Sequence, residues 1–291
     1  MTVPAPELIH PTSLHPAPQT VRRSRRFPAG VALATCILAF LALCAISPTL
    51  IAPQDPYKIS LLHTLRAPSL EFPFGTDQLG RDIFSRVVHG ASYSLAIGLG
   101  ATLIAVISGL SIGLVAGSAG GVVDLAFMRL IDVLLAFPAL FMSMTVVALI
   151  GTGGVNVLIA IAIAEIPRYA RIVRSQVLIV RTSGYVEAAR ILGQRRWVTL
   201  LRHILPHTVG PLIILSTLGI GSAILSSAAL SYLGLGPKPP TPEWGLMLAE
   251  GQGYLRKAWW IGVFPGVFAT LTVISTTVLG RRLKALSDGR V

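Results

Sequence analysis

The chain has 291 residues, of which 53% are hydrophobic and only 12% charged, with a mean hydropathy of +0.73. A soluble domain of that composition would expose more apolar surface than water tolerates, so a membrane protein is implied and an ordinary soluble enzyme is excluded. The net charge of +12 would suggest nucleic acid in a soluble chain, but the basic residues here flank the hydrophobic runs, which makes topology the simpler reading.

Residues 1–28 carry Pro4, Pro6, Pro11, Pro16 and Pro18 and few large apolar side chains, and are predicted to be a disordered Pro/Arg-rich tail. His10 and His15 in that tail give only a weak metal signal. Arg22, Arg23, Arg25 and Arg26 precede the apolar run Ala29 to Ile51. That run exceeds the h-region of a signal peptide, about 7 to 15 residues, and no small-x-small site closes it, so it reads as a retained first transmembrane helix. Cys36 and Cys44 both lie on it, at a spacing that suits neither a disulfide nor a metal site.

Five further spans are predicted, each near the ~20 residues that cross ~30 Å of hydrocarbon. The second lies within Ala91 to Val123, which has no charged residue. The third runs from about Val133 to Ile150 and is followed by the turn Gly151-Thr152-Gly153-Gly154. The fourth starts at Val155, and Glu165, Pro167 and Arg168 interrupt it early; it is expected to leave the bilayer tilted and continue as a helix into water. The fifth covers Thr208 to Tyr232 and the sixth Trp259 to Leu279, giving a six-span domain over 29–280 and a basic tail over 281–291. With the N-terminus inside, 17 Lys and Arg fall on the inner side and seven on the outer. The positive-inside rule therefore puts both termini, and the loop over about 178–207, in the cytoplasm. The Pro- and Gly-rich segments at about 52–90 and 234–258 face outward.

The inner loop holds Glu187-Ala188-Ala189-Arg190-Ile191-Leu192-Gly193, followed by Arg202-His203-Ile204-Leu205-Pro206. Tyr185, Ala189 and Leu192 recur at helical spacing, and Gly193 can end that helix. Trp197, Leu200, Leu201 and Ile204 form a second apolar stripe opposite Arg195, Arg196 and Arg202, and Pro206 is expected to stop it before the fifth span. Small Ala188, Ala189 and Gly193 let another surface approach the backbone. The pattern fits a docking element, or alternatively an amphipathic helix lying in the interface.

Elsewhere, Gly109, Gly113, Gly117 and Gly121 repeat every fourth residue, a smooth ridge for packing a second helix or for a moving gate. Arg129 with Asp132 and Glu165 with Arg168 have ion-pair spacing, with a structural role favoured over a proton relay. Thr76 and Asp77 could cap the helix that carries Arg81 and Arg86, or offer a docking surface outside the membrane. No G-x-x-x-x-G-K-[ST] or H-E-x-x-H is present and no lysine follows a glycine, so no ATP site and no enzyme are expected.

The inner loop resembles the coupling loop of ABC importer membrane subunits: Glu-Ala-Ala, a Gly four residues after the second Ala, and an apolar-Leu-Pro ending. His203-Ile204-Leu205-Pro206 is similar to the version in the peptide and nickel permeases, as are Phe74-Gly75-Thr76-Asp77-Gln78-Leu79-Gly80-Arg81-Asp82, Gly120-Gly121 with Asp124, Arg129 with Asp132, Arg171 with Arg174, and Leu230-Ser231-Tyr232-Leu233-Gly234-Leu235-Gly236 with Trp244-Gly245. These landmarks match the C-type subunit. The chain departs from that pattern at Ile166, Ser227 and Gly280-Arg281-Arg282-Leu283-Lys284-Ala285.

The resemblance implies an all-α membrane protein with six transmembrane helices, the binding-protein-dependent ABC importer permease fold and cytoplasmic coupling helices. It implies residence in a bacterial cytoplasmic (inner) membrane, and as partners a second permease subunit in a heterodimer, one or two ABC ATPase subunits that bind ATP and Mg, an extracytoplasmic solute-binding protein, and lipid. No nucleic acid, and no cofactor or metal on this chain, is expected. Glu187, Ala188, Ala189, Gly193, Trp197, Leu205 and Pro206 would contact the ATPase, and Asp77, Arg81 and Asp82 the binding protein. The cargo implied is a di- or oligopeptide, with a nickel chelate as the alternative. A self-contained secondary transporter or channel is the reading from a different class; it would need ionisable residues deep in several spans or an inverted repeat.

Overall fold

The computed structural model describes residues 29–287, so the N-terminal tail with its arginines and histidines, and the last four residues, lie outside the described residues. Among those described, eleven α-helices occur and no strand: α1 Ala29–Ile46, α2 Pro48–Ile51, α3 Ile83–Ala119, α4 Gly121–Leu135, α5 Ala139–Ile150, α6 Gly154–Arg181, α7 Gly184–Ile191, α8 Arg196–Thr199, α9 Leu205–Tyr232, α10 Trp244–Gln252 and α11 Trp260–Ser287. The chain is all-helical because the apolar runs offer long stretches whose backbone groups can be satisfied internally.

Helices α3 and α6 form the most extensive pair, α9 packs against α3 and α11, and α1 closes over α11 and α3. The pairing of α3 with α6 rests on missing side chains. A Cβ placed at Gly109 would lie 2.5 Å from Tyr169 Cβ, at Gly113 2.6 Å from the Ala170 carbonyl oxygen and from Val173 Cβ, and at Gly117 2.7 Å from Val177 Cγ1. The two backbones therefore approach as closely as three glycines permit. Gly121 does not belong to this ridge. The helix breaks at Gly120 and Gly121, with φ of +67° and +55°, and nothing lies within 4 Å of a Cβ at Gly121, which instead starts α4.

Replacing Gly113 with Leu should force α3 from α6 and cost more than the ~1–3 kcal/mol of ordinary overpacking, seen as loss of monodisperse protein on size exclusion. Gly210→Leu, with open space around its Cβ, is the control expected to stay at the parental yield. Equal yields for both would disprove the close-packing account.

Among the described residues, four helical stretches are long and apolar enough to cross a membrane: α1, α3, Arg196–Tyr232 and α11. The third predicted span takes another form: α4 and α5 pass the same test only together and are bent by 93°. Pro138 lacks an amide hydrogen and pushes Phe137 out of helical geometry, so the run from Val133 cannot continue straight. The fourth run is not among those four stretches, but it continues as a helix past Pro167, as expected. α6 continues through it for 28 residues, about 42 Å at 1.5 Å per residue, with Glu165, Arg168, Arg171 and Arg174 along it.

Pro206 likewise does not stop a helix. α8 passes through a π-turn at Leu200–Ile204 directly into α9, and Leu205 N–H reaches back to the Leu200 carbonyl. The wider turn relieves the clash of the proline ring with the carbonyl four residues back. α11 runs beyond the predicted Leu279 to Ser287, with Lys284 in a last turn where cations suit the helix dipole. The segments predicted to face outward are partly helical, since α3 starts at Ile83 and α10 occupies Trp244–Gln252.

Candidate functional site

The helices place two clusters of polar and charged groups at opposite ends of the bundle. One end holds the turn before α6 beside the segment after α9, where Gly153 N–H donates to the Leu235 carbonyl at 3.4 Å. The other brings the end of α3 and start of α4 beside Arg181, Arg190 and Arg196.

At the second end, Arg181 Nη1 donates to the Gly117 carbonyl at 2.8 Å, closing α6 onto α3. The Ser183 carbonyl then accepts from Val186 and Glu187 N–H at 3.0 and 3.1 Å and starts α7, and Glu187 in its first turn suits the positive end of the helix dipole. Val186 is fully buried in the cluster of Val173, Val177, Leu200, Ile204 and Leu212, which anchors α7 to the bundle. At its far end Gly193 has φ +76°, Gln194 N–H bonds the Ala189 carbonyl and Gly193 N–H the Arg190 carbonyl, both at 3.0 Å. This is a Schellman ending, for which a glycine at the left-handed position is the least strained choice.

The second apolar stripe divides. Leu200 and Ile204 turn into the core, while Trp197 and Leu201 remain 72% and 58% exposed, alongside Ile191 and Leu192 at 84% and 86%. An apolar patch of this kind at a short helix-turn-helix marks a surface that something else covers. Glu187 and Ala188 are exposed beside it, Ala189 and Leu205 are half-buried, and Pro206 is exposed. Among the described residues no atom beyond its chain neighbours lies within 4 Å of a Cβ built at Gly193, so they do not make the close approach expected there.

Next to this surface α4 is held to α6 by two cross-helix ion pairs. Arg174 grips Asp124 bidentately, Nε to Oδ1 at 3.0 Å and Nη2 to Oδ2 at 2.7 Å, and Arg171 bonds Asp132. The anticipated Arg129–Asp132 pair does not form: Asp132 faces α6, whose Arg171 takes it, and Arg129 is exposed. Glu165 and Arg168 lie 3.6 Å apart. Sequence reasoning missed the partners of Asp124 and Asp132. The eight-residue spacing of the two acids and the pair Arg171 and Arg174 were visible, but not that the bend at Pro138 lays α4 across α6.

The segment Gly109-Leu110-Ser111-Ile112-Gly113 has the spacing of a serine nucleophile elbow, which sequence inspection overlooked. Ser111 nevertheless lies inside α3, where its hydroxyl donates to the Ile107 carbonyl at 2.9 Å, and no strand-to-helix turn presents it.

At the other end, Asp77, Arg81 and Asp82 are 2%, 1% and 6% exposed. They are too deeply buried to form the contact surface for a delivered protein that the sequence suggested. Asp77 Oδ1 accepts from Leu79 and Arg81 N–H at 2.8 and 2.9 Å, and Oδ2 from Arg81 Nε at 2.5 Å. Arg86 Nη2 reaches Glu250 Oε2 at 3.2 Å and its Nη1 the Pro240 carbonyl at 3.2 Å, so the cluster ties the outer loop to α10. Neither Thr76 nor Asp77 caps α3. Asp82 does, accepting from Ser85 N–H at 2.9 Å, while Thr76 bonds the His63 carbonyl and receives Arg66 N–H. Nearby, Trp244 Nε1 and Trp260 Nε1 donate to the Val87 and Thr76 carbonyls, and Glu243 caps α10 by accepting from Leu246 N–H at 2.8 Å. Burial pushes the Glu243 carboxyl above the usual carboxylate range.

A family described as "Binding-protein-dependent transport system inner membrane component" matches residues 109–291. The chain is 37% identical to the di/tripeptide transport system permease protein DppC of Pseudomonas aeruginosa, over 98% of this chain and 95% of that one. It is 40% identical to the probable D,D-dipeptide transport system permease protein DdpC of Escherichia coli, covering 90% and 87%. It is 42% identical to the glutathione transport system permease protein GsiD of Shigella flexneri, covering 93% and 89%. Among solved structures, inward-facing MetNI methionine ABC transporter superposes on 69% of this chain and 95% of that chain, with a TM-score of 0.57 at 18% identity.

Proposed function

The chain belongs to the binding-protein-dependent transport system inner membrane components, a multi-pass permease subunit of an ABC importer, and from that premise we propose how it works and what it carries. Six spans cross a bacterial inner membrane: α1, α3, the bent pair α4 and α5, α6, α9 and α11. Both termini and the loop around Glu187 face the cytoplasm. The 17-to-7 bias of Lys and Arg supports that orientation.

A second permease subunit pairs with this one to line the pathway. An external binding protein delivers the cargo, and one or two ATPase chains bind ATP and Mg. The observation that carries the coupling role is the exposed patch of Ile191, Leu192, Trp197 and Leu201, beside the Schellman turn at Gly193. α7 is anchored through Val186 and α8 runs directly into α9, so a push on the patch is passed to α9 and α6 as a rigid-body tilt instead of being absorbed by a flexible loop. The relatives named for di/tripeptides, D,D-dipeptides and glutathione support a short peptide as cargo.

The test is uptake by proteoliposomes holding this chain with its partner permease, ATPases and binding protein. Labelled dipeptide should accumulate only when ATP, Mg and binding protein are all present. Accumulation without ATP would point to a secondary transporter, and transport of a nickel chelate with no response to peptide would replace the cargo assignment.

Topology has its own check. In a chain with Cys36 and Cys44 replaced, a cysteine at Leu62, 88% exposed, should react with an impermeant maleimide added to intact cells, and one at Thr182 only after permeabilisation. The reverse pattern would invert the orientation. Asp77 is unsuitable as the outer reporter because it is buried.

A further inference from the structure

We propose that the cavity enclosed between the α3–α4 junction, the end of α6 and the α7–α8 turn is a binding site for a phosphate group, supplied by an anionic lipid headgroup or by free phosphate. Its volume is about 570 Å³, and Gly120, Gly121, Arg181, Arg190, Gln194 and Arg196 are among the residues around it. Three arginines therefore line one space that, among the described residues, no Asp or Glu lines.

Several described arginines lack a carboxylate partner, and three of them gather at this one cavity. Arg81, Arg86, Arg168, Arg171 and Arg174 each have a carboxylate within 4.0 Å, whereas among the described residues Arg181, Arg190 and Arg196 have none. Like charges gathered around a cavity repel one another, and an anion entering it would remove that cost. Arg181 is fixed by its bond to the Gly117 carbonyl, which uses one of five donors and leaves the others available. α4 begins at the same cavity with no side-chain cap, so its N-terminal N–H groups add to the positive potential without being the basis of the site.

A tetrahedral oxyanion fits because it can accept from several guanidinium planes at once. The position at the cytoplasmic ends of membrane helices is where basic pockets meet anionic headgroups. The site adjoins the coupling turn through Arg190, Gln194 and Arg196, so occupancy would stiffen the junction between α7 and the α3–α6 pair. It is independent of what is transported, and binding is measured without transport.

The experiment uses the chain co-purified with its partner subunits. In one arm the complex sits in discs of phosphatidylcholine with or without phosphatidylglycerol, and retained lipid is counted by native mass spectrometry. In the other arm it sits in phosphatidylcholine alone, and radiolabelled inorganic phosphate is titrated by equilibrium dialysis. The expected result is retention of phosphatidylglycerol or binding of phosphate, whichever is the source, weakened at least about tenfold, the effect of ~1.4 kcal/mol, in Arg190→Gln/Arg196→Gln. Arg181→Gln should weaken it similarly, and Arg195→Gln, which does not line the cavity, should leave it unchanged. Binding equal in the parent and the double variant would overturn the proposal, as would an absence of binding in both arms. Normal dipeptide uptake alongside either negative would leave the transport reading standing.

Discussion

Asp77→Ala should destabilise the assembled complex by about 3–5 kcal/mol, the usual cost of removing one partner from a buried ion pair. At ~2–4 °C per kcal/mol for a chain of this size, that is a fall in thermal midpoint of about 6–20 °C, measured by tryptophan fluorescence in lipid discs. Two guanidiniums, each 1% exposed, would then share the single carboxylate of Glu250. Leu79 and Arg81 N–H would also lose their acceptor. Asp77→Asn should fall between the two, because an amide oxygen still accepts while the charge is gone. Asp132→Ala is the comparison: that pair is about half exposed on both sides and should change stability by no more than about 1 kcal/mol. A parental midpoint for Asp77→Ala would mean that the remaining contacts, Arg86 with Glu250 and Pro240 and the Trp244 and Trp260 bonds, hold the outer loop without it.

Gly193→Asp should uncouple ATP hydrolysis from uptake while leaving the chain folded. Among the described residues nothing lies within 4 Å of a Cβ at Gly193 beyond its chain neighbours, and Asp tolerates left-handed backbone better than most residues, so no span should be disturbed. Any loss must then arise where a partner covers the turn, because a carboxylate would be buried against the apolar surface of Ile191, Leu192 and Trp197. Uptake per ATP hydrolysed is expected to drop about 5- to 150-fold, the span of ordinary coupling free energies. Insertion and thermal midpoint should stay at the parental values. Gly193→Val separates the two causes, since a β-branched residue strains the turn itself at φ +76°. Full uptake with Gly193→Asp would remove the coupling assignment and leave α7 and α8 as an amphipathic element on the bilayer surface.

Much of the fold was legible in the sequence because its signals are short-range. Apolar runs located α1, α3, α9 and α11. Glycines at every fourth residue marked the face of α3 that meets α6, and Gly193 marked the end of α7, because a position with positive φ selects glycine whatever surrounds it. The order of landmarks from Phe74 to Trp244 carried the family, since that order survives without knowledge of any contact.

Tertiary structure decided which charges meet and which surfaces stay open. Asp124 and Asp132 are taken by Arg174 and Arg171, some 40 to 50 residues away in sequence, because α4, bent 93° from α5, packs against α6. Asp77 became the centre of a buried network and not a surface, because Glu250 on α10 folds over it. The apolar stripe after Gly193 split into a buried and an exposed half once α8 was fused to α9. Helical periodicity tells which residues share a face; only the packing of helices distant in the chain tells what that face touches.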